Sequence, residues 1–358
     1  MHKTKVGILG ATGMIGQRLI TLLDNHPWFE VTCVAASPSS AGKSYEEAVK
    51  GRWHMKTSIP EKIRKLVVKK VEDDINKICN EANFVFSAVE MDKQKVREIE
   101  EKYASNGIPV VSLNSAHRMT EDIPMIIPEI NPEHLDIIKI QRKNRRWKKG
   151  LIAVKPNCSI QSYVPVIKAL EKFEPMEVLV TTLQAVSGAG KTLETWPEMV
   201  ENVIPLIKNE EEKSEKEPLK VLGKISNGKL KFANLPRISA TCIRVPVIDG
   251  HMASVEIKLN KKISKEKFID AINNYDNPIA KLKLPTAPKQ FIKYFDKDDR
   301  PQTRLDRNFE KGMGITVGRL RQSNLGCKFV ALSHNTIRGA AGGAILLAEL
   351  LKEKGYIE

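Results

Sequence analysis

Lys5-Val6-Gly7-Ile8-Leu9-Gly10-Ala11-Thr12-Gly13-Met14-Ile15-Gly16 is the stretch that decides the fold. An apolar run passes into a glycine loop, and the loop passes into a helical pattern with Ile15, Leu19, Leu22 and Leu23 on one face. Glycines at such a junction let the backbone turn sharply and approach a pyrophosphate, which rests on the free N–H groups of the helix N-terminus. The spacing is G-x-x-G-x-x-G rather than the stricter G-x-G-x-x-G. Its position directly after the first strand supplies the context that glycines alone lack. Working outward, strands are predicted over 29–36, 83–89, 108–113 and 151–154, with helices over 14–25 and 93–106. Repeated βαβ units predict a parallel, doubly wound sheet, which makes the first half an α/β Rossmann-type dinucleotide-binding domain.

The end of the second strand bears on which dinucleotide binds. A site for NAD carries an acid there to hold the ribose 2′-hydroxyl. Here the strand ends Ala35-Ala36-Ser37-Pro38-Ser39-Ser40-Ala41-Gly42-Lys43, with no acid and with hydroxyls and a lysine suited to a 2′-phosphate. The expected cofactor is NADP. The expected contacts are Gly10, Thr12, Gly13, Met14 and Ile15, with Ser37, Ser40 and, near the end of the 83–89 strand, Ser87.

Beyond residue 155 the pattern changes to longer alternating strands over 177–186, 237–247, 253–259, 314–322 and 328–333. Helices are predicted over 193–207 and 265–274, and a charged stretch over 209–224 reads as an exposed helix or excursion. The second half is thus an α+β domain with a largely antiparallel mixed sheet. The segment 336–354 is rich in Ala and Gly and helical in pattern, so it is expected to pack back on the first half. The domains are drawn as 1–155 with 336–358 for the cofactor, and 156–335 for catalysis and oligomerisation.

Composition suits a water-soluble globular protein: 358 residues, 41% hydrophobic and 28% charged. No apolar run approaches the roughly 20 residues that span a bilayer, and the N-terminal residues lack a signal-peptide pattern. A cytoplasmic protein without membrane contact is expected. The five cysteines, Cys33, Cys79, Cys158, Cys242 and Cys327, are odd in number and lack C-x-x-C spacing, so no disulfide framework and no metal site are predicted. Cys33, Cys242 and Cys327 sit among strand residues and read as buried small hydrophobes. A net charge of +15 admits a nucleic-acid partner. The densest basic run, 139–149, reads better as a solvated helix end, and no helix-turn-helix or RNA-binding motif accompanies it.

Chemistry points to Lys155-Pro156-Asn157-Cys158-Ser159-Ile160. Cys158 follows the strand 151–154 and precedes a helix predicted over 161–172, which places its thiol near a helix N-terminus. A thiolate there has a lowered pKa and attacks better at neutral pH. With a nicotinamide site in the same chain, the combination suggests acyl-enzyme chemistry coupled to hydride transfer. Three further segments stand out: 184–190 (Gln-Ala-Val-Ser-Gly-Ala-Gly), 244–251 (Arg-Val-Pro-Val-Ile-Asp-Gly-His) and 333–343, which opens Ser-His-Asn.

Taken together and in this order, these motifs resemble the aspartate-semialdehyde dehydrogenase family, most closely its archaeal and fungal branch, over nearly the whole chain. The resemblance implies NADPH-dependent reduction of L-aspartyl 4-phosphate to L-aspartate 4-semialdehyde and phosphate, on the route to lysine, threonine, methionine and isoleucine. It also implies a homodimer or homotetramer. Carried over by position, Cys158 is the nucleophile, His251 the acid/base able to exchange protons near neutral pH, and Gln184 the active-site glutamine. Arg244 grips the substrate α-carboxylate, Arg118 the phosphate, and Asn157 stands beside the nucleophile. In an E-x-K motif Glu211 meets the substrate amine and Lys213 the phosphate. Ser187, Gly188 and Asn335 approach the nicotinamide. Lys191 replaces the aromatic residue common in the archaeal branch. A malonyl-CoA or succinyl-CoA reductase of the same architecture is the nearest alternative; Asn157 and the 211–213 segment favour the amino-acid phosphate.

Overall fold

The computed structural model describes residues 2–358. Strands β1 (Thr4–Leu9), β2 (Phe29–Ala36), β3 (Lys69–Lys70), β4 (Phe84–Ser87), β5 (Pro109–Ser112) and β6 (Leu151–Val154) form a parallel sheet in the order β3-β2-β1-β4-β5-β6. This is the predicted doubly wound arrangement. β4, β5 and β6 are buried along their whole length, which is why they read as short continuous apolar runs. β3 has two residues and carries no periodic signal. The strand order reverses between β1 and β4, and ligands of such sheets sit beyond the carboxyl ends of the strands at that reversal.

The glycine loop lies at this reversal. Gly10 has φ +81°, and a Cβ there would stand 2.3 Å from Ala88 O; a Cβ on Gly16 would stand 2.3 Å from Gly10 O. Only glycine fits either position. Gln17 fastens the loop from within, donating from Nε2 to Thr12 O (2.9 Å) and Arg52 O (2.7 Å).

The second half contributes β7 (Pro175–Gln184), a small hairpin of β8 (Lys224–Ser226) and β9 (Lys229–Lys231), then β10 (Arg237–Arg244), β11 (His251–Leu259), β12 (Ile292–Phe295), β13 (Ile315–Gln322) and β14 (Cys327–Ser333). Apart from the hairpin these form a six-stranded sheet, β10-β7-β11-β14-β13-β12. The pairs β7–β11, β11–β14 and β13–β14 are antiparallel, and β10–β7 and β12–β13 are parallel, so the sheet is mixed. At the C-terminus a π-helical turn, Ile337–Ala341, runs into the helix Gly342–Glu353. Ile345, Leu346 and Leu350 of that helix share one core with Val6, Ile8, Leu19 and Phe84.

Three predicted helices differ. The helix over 161–172 is broken into a 3-10 turn at Ser159–Gln161, a six-residue helix at Val164–Ala169 and a second 3-10 turn at Glu171–Phe173. The helix over 193–207 is replaced, apart from a 3-10 turn at Pro197–Met199, by irregular chain. Pro197 and Pro205 each remove a backbone donor, and Glu201 takes φ +57°. The charged stretch over 209–224 forms the helix Glu210–Val221, but it is not an exposed excursion. It buries Glu210, Ser214, Glu217, Pro218, Lys220 and Val221 along one face.

Candidate active site

Two sheets deliver the site. β6 runs directly into Lys155-Pro156-Asn157-Cys158. Opposite it, one end of the second sheet carries Arg244 beside Gln184 in the β10–β7 register and His251 beside Ser333 in the β11–β14 register. The β7–β11 register, last paired at Leu183 and Met252, runs on to bring Gln184 next to His251. Directly opposed residues share a face of a sheet. Residues distant in the chain thereby form a single row.

Cys158 is partly exposed, while Asn157, Arg118, Arg244 and His251 around it are buried. The π-turn closes over it: a Cβ on Gly339 would stand 2.8 Å from Cys158 Cβ, so a glycine is required. π-turns of this kind recur at functional sites. Burial pushes the Cys158 thiol upward, and Glu210 adds to the rise, against Lys155, Arg118 and Arg244, which favour the thiolate. The expectation of a lowered pKa from a helix N-terminus is therefore corrected. The nearest helix has six residues and starts six residues later. The cations facing the sulfur are side chains, and in the free protein desolvation outweighs them.

His251 is fully buried, and burial followed by Arg244 pushes its pKa down to about 3. Its Nδ1 accepts from Ala185 N–H at 3.1 Å, which leaves the proton of the neutral ring on Nε2. That Nε2 is buried without a partner. Burial thus keeps the ring neutral, with an unspent Nε2–H beside Arg244 and the 187–188 loop. A Cβ on Gly188 would lie 2.9 Å from the same Nε2 and 3.0 Å from Arg244 Nη1, so the 187–188 loop rests on both side chains.

Arg244 donates from Nη1 to Ala185 O at 2.6 Å, and its backbone pairs with Ile204 through two hydrogen bonds. Arg118 donates from Nε to Lys155 O (3.1 Å), from Nη1 to Glu217 Oε1 (2.9 Å) and from Nη2 to Leu113 O (3.2 Å). A guanidinium has five N–H groups, so two remain free on Arg118. Asn157 Oδ1 accepts from the N–H and hydroxyl of Ser159, each at 2.7 Å, bracing the turn that bears Cys158. Gln184 donates to Thr182 Oγ1 at 3.1 Å. Asn335 bridges Ser187 Oγ (2.8 Å) and Gly250 N–H (2.8 Å), so Ser187, Gly188 and Asn335 lie together.

Glu211 does not face this site. Its carboxylate accepts from Cys242 N–H of β10 at 3.1 Å. Glu210 is the acid that faces it: it is buried, acts on Cys158 and Arg244, and holds Lys213 Nζ at 3.0 Å. Glu210 and Lys213 stand one helical turn apart, a step that aligns side chains on a helix, whereas the two-residue step from Glu211 to Lys213 does not. On the cofactor side, Gly10, Thr12, Gly13, Met14 and Ile15 are accessible, and the Ser37 and Ser39 hydroxyls meet at 3.0 Å on the surface. Ser87 and Ser40 are corrected. Ser87 is fully buried and its Oγ accepts from Asn114 Nδ2 at 3.0 Å; Ser40 is buried with its Oγ turned to Arg52 Nη2 at 3.5 Å. Both support their loops from inside.

Lys155, Glu210 and Glu217 are functional candidates that the sequence reading passes over. Lys155 is buried, and desolvation pushes its ammonium down to about 7 while Cys158 holds it up. A lysine directly before Pro-Asn-Cys was its only signal. For Glu210 and Glu217 the signal was polar residues at 210, 214 and 217, a spacing normally filled by apolar residues on a buried helix face. Lys155→Met should move the rising limb of the kcat/KM profile to higher pH, because the thiolate loses a neighbouring cation. A profile recorded in both proteins checks this; superimposable curves would contradict it.

A doubly wound nucleotide sheet joined to a second domain that sets a cysteine among arginines is the layout of a dehydrogenase of aldehydes. Residues 5–138 match the family model "Semialdehyde dehydrogenase, NAD binding domain", and residues 165–338 match "Semialdehyde dehydrogenase, dimerisation domain". Aspartate-semialdehyde dehydrogenase from Archaeoglobus fulgidus is 44% identical over 98% of both chains, and that from Candida albicans is 40% identical over the full length of both. A crystal structure of aspartate-semialdehyde dehydrogenase with NADP from Candida albicans superposes with a TM-score of 0.88 at 37% identity, covering 99% of this chain and 100% of that one. The chain belongs to the aspartate-semialdehyde dehydrogenase family.

Proposed function

We propose that this protein reduces L-aspartyl 4-phosphate to L-aspartate 4-semialdehyde and phosphate with NADPH. The observation that carries the reading is the charge pattern around Cys158: guanidinium groups of Arg244 and Arg118, with the Glu210 carboxylate, act on one sulfur. Those groups match a substrate bearing a carboxylate, a phosphate and an ammonium around a reactive carbonyl. Arg244 takes the α-carboxylate, Glu210 the ammonium, and the free N–H groups of Arg118 with Lys213 the phosphate.

The residues fit the cofactor. The helix Met14–Leu23 has no side-chain cap and no acid in its first turn, and a Cβ on Gly13 would meet nothing nearer than 3.6 Å. Open N–H groups at a helix N-terminus suit a pyrophosphate. Ser37, Ser39 and Lys43, with no acid at the end of β2, suit the 2′-phosphate of NADP.

The chemistry follows from the geometry. Cys158 thiolate attacks the acyl carbon, the His251 Nε2–H donates to the carbonyl oxygen as it gains charge, and phosphate leaves on the Arg118 side. The product is a thioester on Cys158. NADPH, held by the glycine loop, would supply a hydride to this carbonyl. His251 again donates to the developing oxyanion, and collapse of the hemithioacetal expels the thiolate and releases the aldehyde. Gln184, beside Arg244 and His251, lines the acyl pocket. Ser187, Gly188 and Asn335 shape the nicotinamide side.

The proposed division of labour is 1–155 with 336–358 for the cofactor and 156–335 for catalysis and self-association. Leu179, Val200, Val203 and Leu206 are each at least half exposed, apolar area suited to a second copy of the chain in a homodimer or homotetramer. Among the described residues no helix is long and apolar enough to cross a membrane. We place the enzyme in the cytoplasm with the biosynthetic pathway of its substrate. The test is phosphate-dependent reduction of NADP with aspartate semialdehyde by the purified protein. Activity confined to malonyl-CoA or succinyl-CoA with NADPH would reject the reading.

A further inference from the structure

The helix Glu210–Val221 holds two catalytic segments with one side chain. Glu217, 1% exposed, accepts from Arg118 Nη1 through Oε1 at 2.9 Å and from the Asn157 backbone N–H through Oε2 at 2.6 Å. Arg118 also donates from Nε to Lys155 O at 3.1 Å, so Arg118, Glu217 and the 155–157 segment close a ring next to Cys158. Three turns of chain chemistry thus meet in one carboxylate: the 113–118 loop after β5, the junction after β6 and a helix of the second half.

The same helix face extends the hold on either side. Ser214 Oγ lies 3.2 Å from Ser159 Oγ, and Lys220 Nζ donates to the carbonyls of Arg118 (2.7 Å), Thr120 (2.7 Å) and Ile123 (2.9 Å). A buried carboxylate with both oxygens engaged by charge-assisted or backbone donors has little freedom, and neither do its partners. The bonds leave two N–H groups of Arg118 unspent at a fixed distance from the nucleophile.

We propose that Glu217 is a positioning residue: it sets the spacing between the phosphate-binding guanidinium of Arg118 and the nucleophile Cys158 by holding Arg118 and Asn157 at once. The proposal rests on the phosphate role of Arg118 given above. A carboxylate is required because both partners are donors. An amide in its place offers one acceptor oxygen and turns an N–H toward one of the two donors. An aspartate keeps the charge but is one methylene shorter and reaches only one partner.

The test is steady-state kinetics in the phosphorylating direction, with KM measured separately for phosphate, aspartate semialdehyde and NADP. Glu217→Gln should raise the phosphate KM about tenfold, the size of one charge-assisted hydrogen bond. It should leave the KM for NADP and for semialdehyde within about twofold. Glu217→Asp should fall between wild type and Glu217→Gln, and it serves in its place if the glutamine variant does not fold. A role confined to stability predicts a lower melting temperature with all three KM values unchanged; that result would overturn the proposal, as would a parallel rise in all three. Arg118→Lys separates the two levels. If it raises the phosphate KM and the Glu217 variants do not, only the positioning role fails. If Arg118→Lys itself leaves the phosphate KM unchanged, the phosphate reading of Arg118 fails and the positioning role falls with it.

Discussion

Cys158→Ala is expected to lower turnover by roughly 10⁴-fold or more while leaving NADP affinity and the fold unchanged. The sulfur is the only group in the proposed scheme that forms a bond to the substrate, and none of its neighbours replaces it. Lys155 Nζ is tied to Pro156 O at 2.7 Å, and Ser159 Oγ is tied to Asn157 Oδ1 at 2.7 Å. Alanine keeps the Cβ that Gly339 accommodates, so the π-turn has no reason to move. The glycine loop that would hold the cofactor is built from β1, Gly10 and Gly16, with no contribution from residue 158. Titration calorimetry with NADP, beside a turnover assay, measures the two effects separately. Turnover within tenfold of wild type would remove Cys158 from the nucleophile's role.

Arg244→Lys is expected to lower kcat/KM for aspartate semialdehyde by about 10²-fold, which corresponds to about 2.7 kcal/mol at 1.36 kcal/mol per tenfold. Arg244 is buried at the end of β10 and already donates to Ala185 O. Its remaining N–H groups form the planar fork that suits a carboxylate. A lysine ammonium is a compact point charge on a flexible, shorter stem and cannot serve Ala185 O and both carboxylate oxygens in that geometry. The loss should divide between a higher KM for semialdehyde and a lower kcat, because misplacing the α-carboxylate also misplaces the carbonyl relative to Cys158. The KM for NADP should stay constant. Unchanged kinetics for semialdehyde would exclude Arg244 as the carboxylate anchor.

Much of the architecture was legible because its signals are local. The glycine loop is read from bond geometry within seven residues, and the structure shows two of its glycines obliged to be glycine. Buried strands such as Phe84–Ser87 and Leu151–Val154 announce themselves as apolar runs. Where local signals misled, the cause was competition. Residues 193–207 have helical spacing, but Pro197 and Pro205 break the ladder and the chain pairs Ile204 with Arg244 instead. Residues 161–172 have helical spacing, but the chain is spent on bracing Cys158 in a short 3-10 turn. The Glu210–Val221 helix looked solvated because its buried face is polar, and nothing in a charge-rich sequence distinguishes a satisfied buried carboxylate from an exposed one.

Residue types, motif order and family membership thus follow from the chain read as text, because steric demands on glycine and the period of a strand or helix act between near neighbours. The row Arg244, Gln184, His251 comes from strand order and register, which no local signal encodes. That Glu211 turns to β10 while Glu210 turns toward Cys158 comes from how the helix is set against the sheet. The protonation of the site reverses the local expectation for the same reason. Desolvation raises the Cys158 thiol and holds the His251 ring neutral. Desolvation is a property of everything packed around a group, and it exists only once distant segments have closed over it.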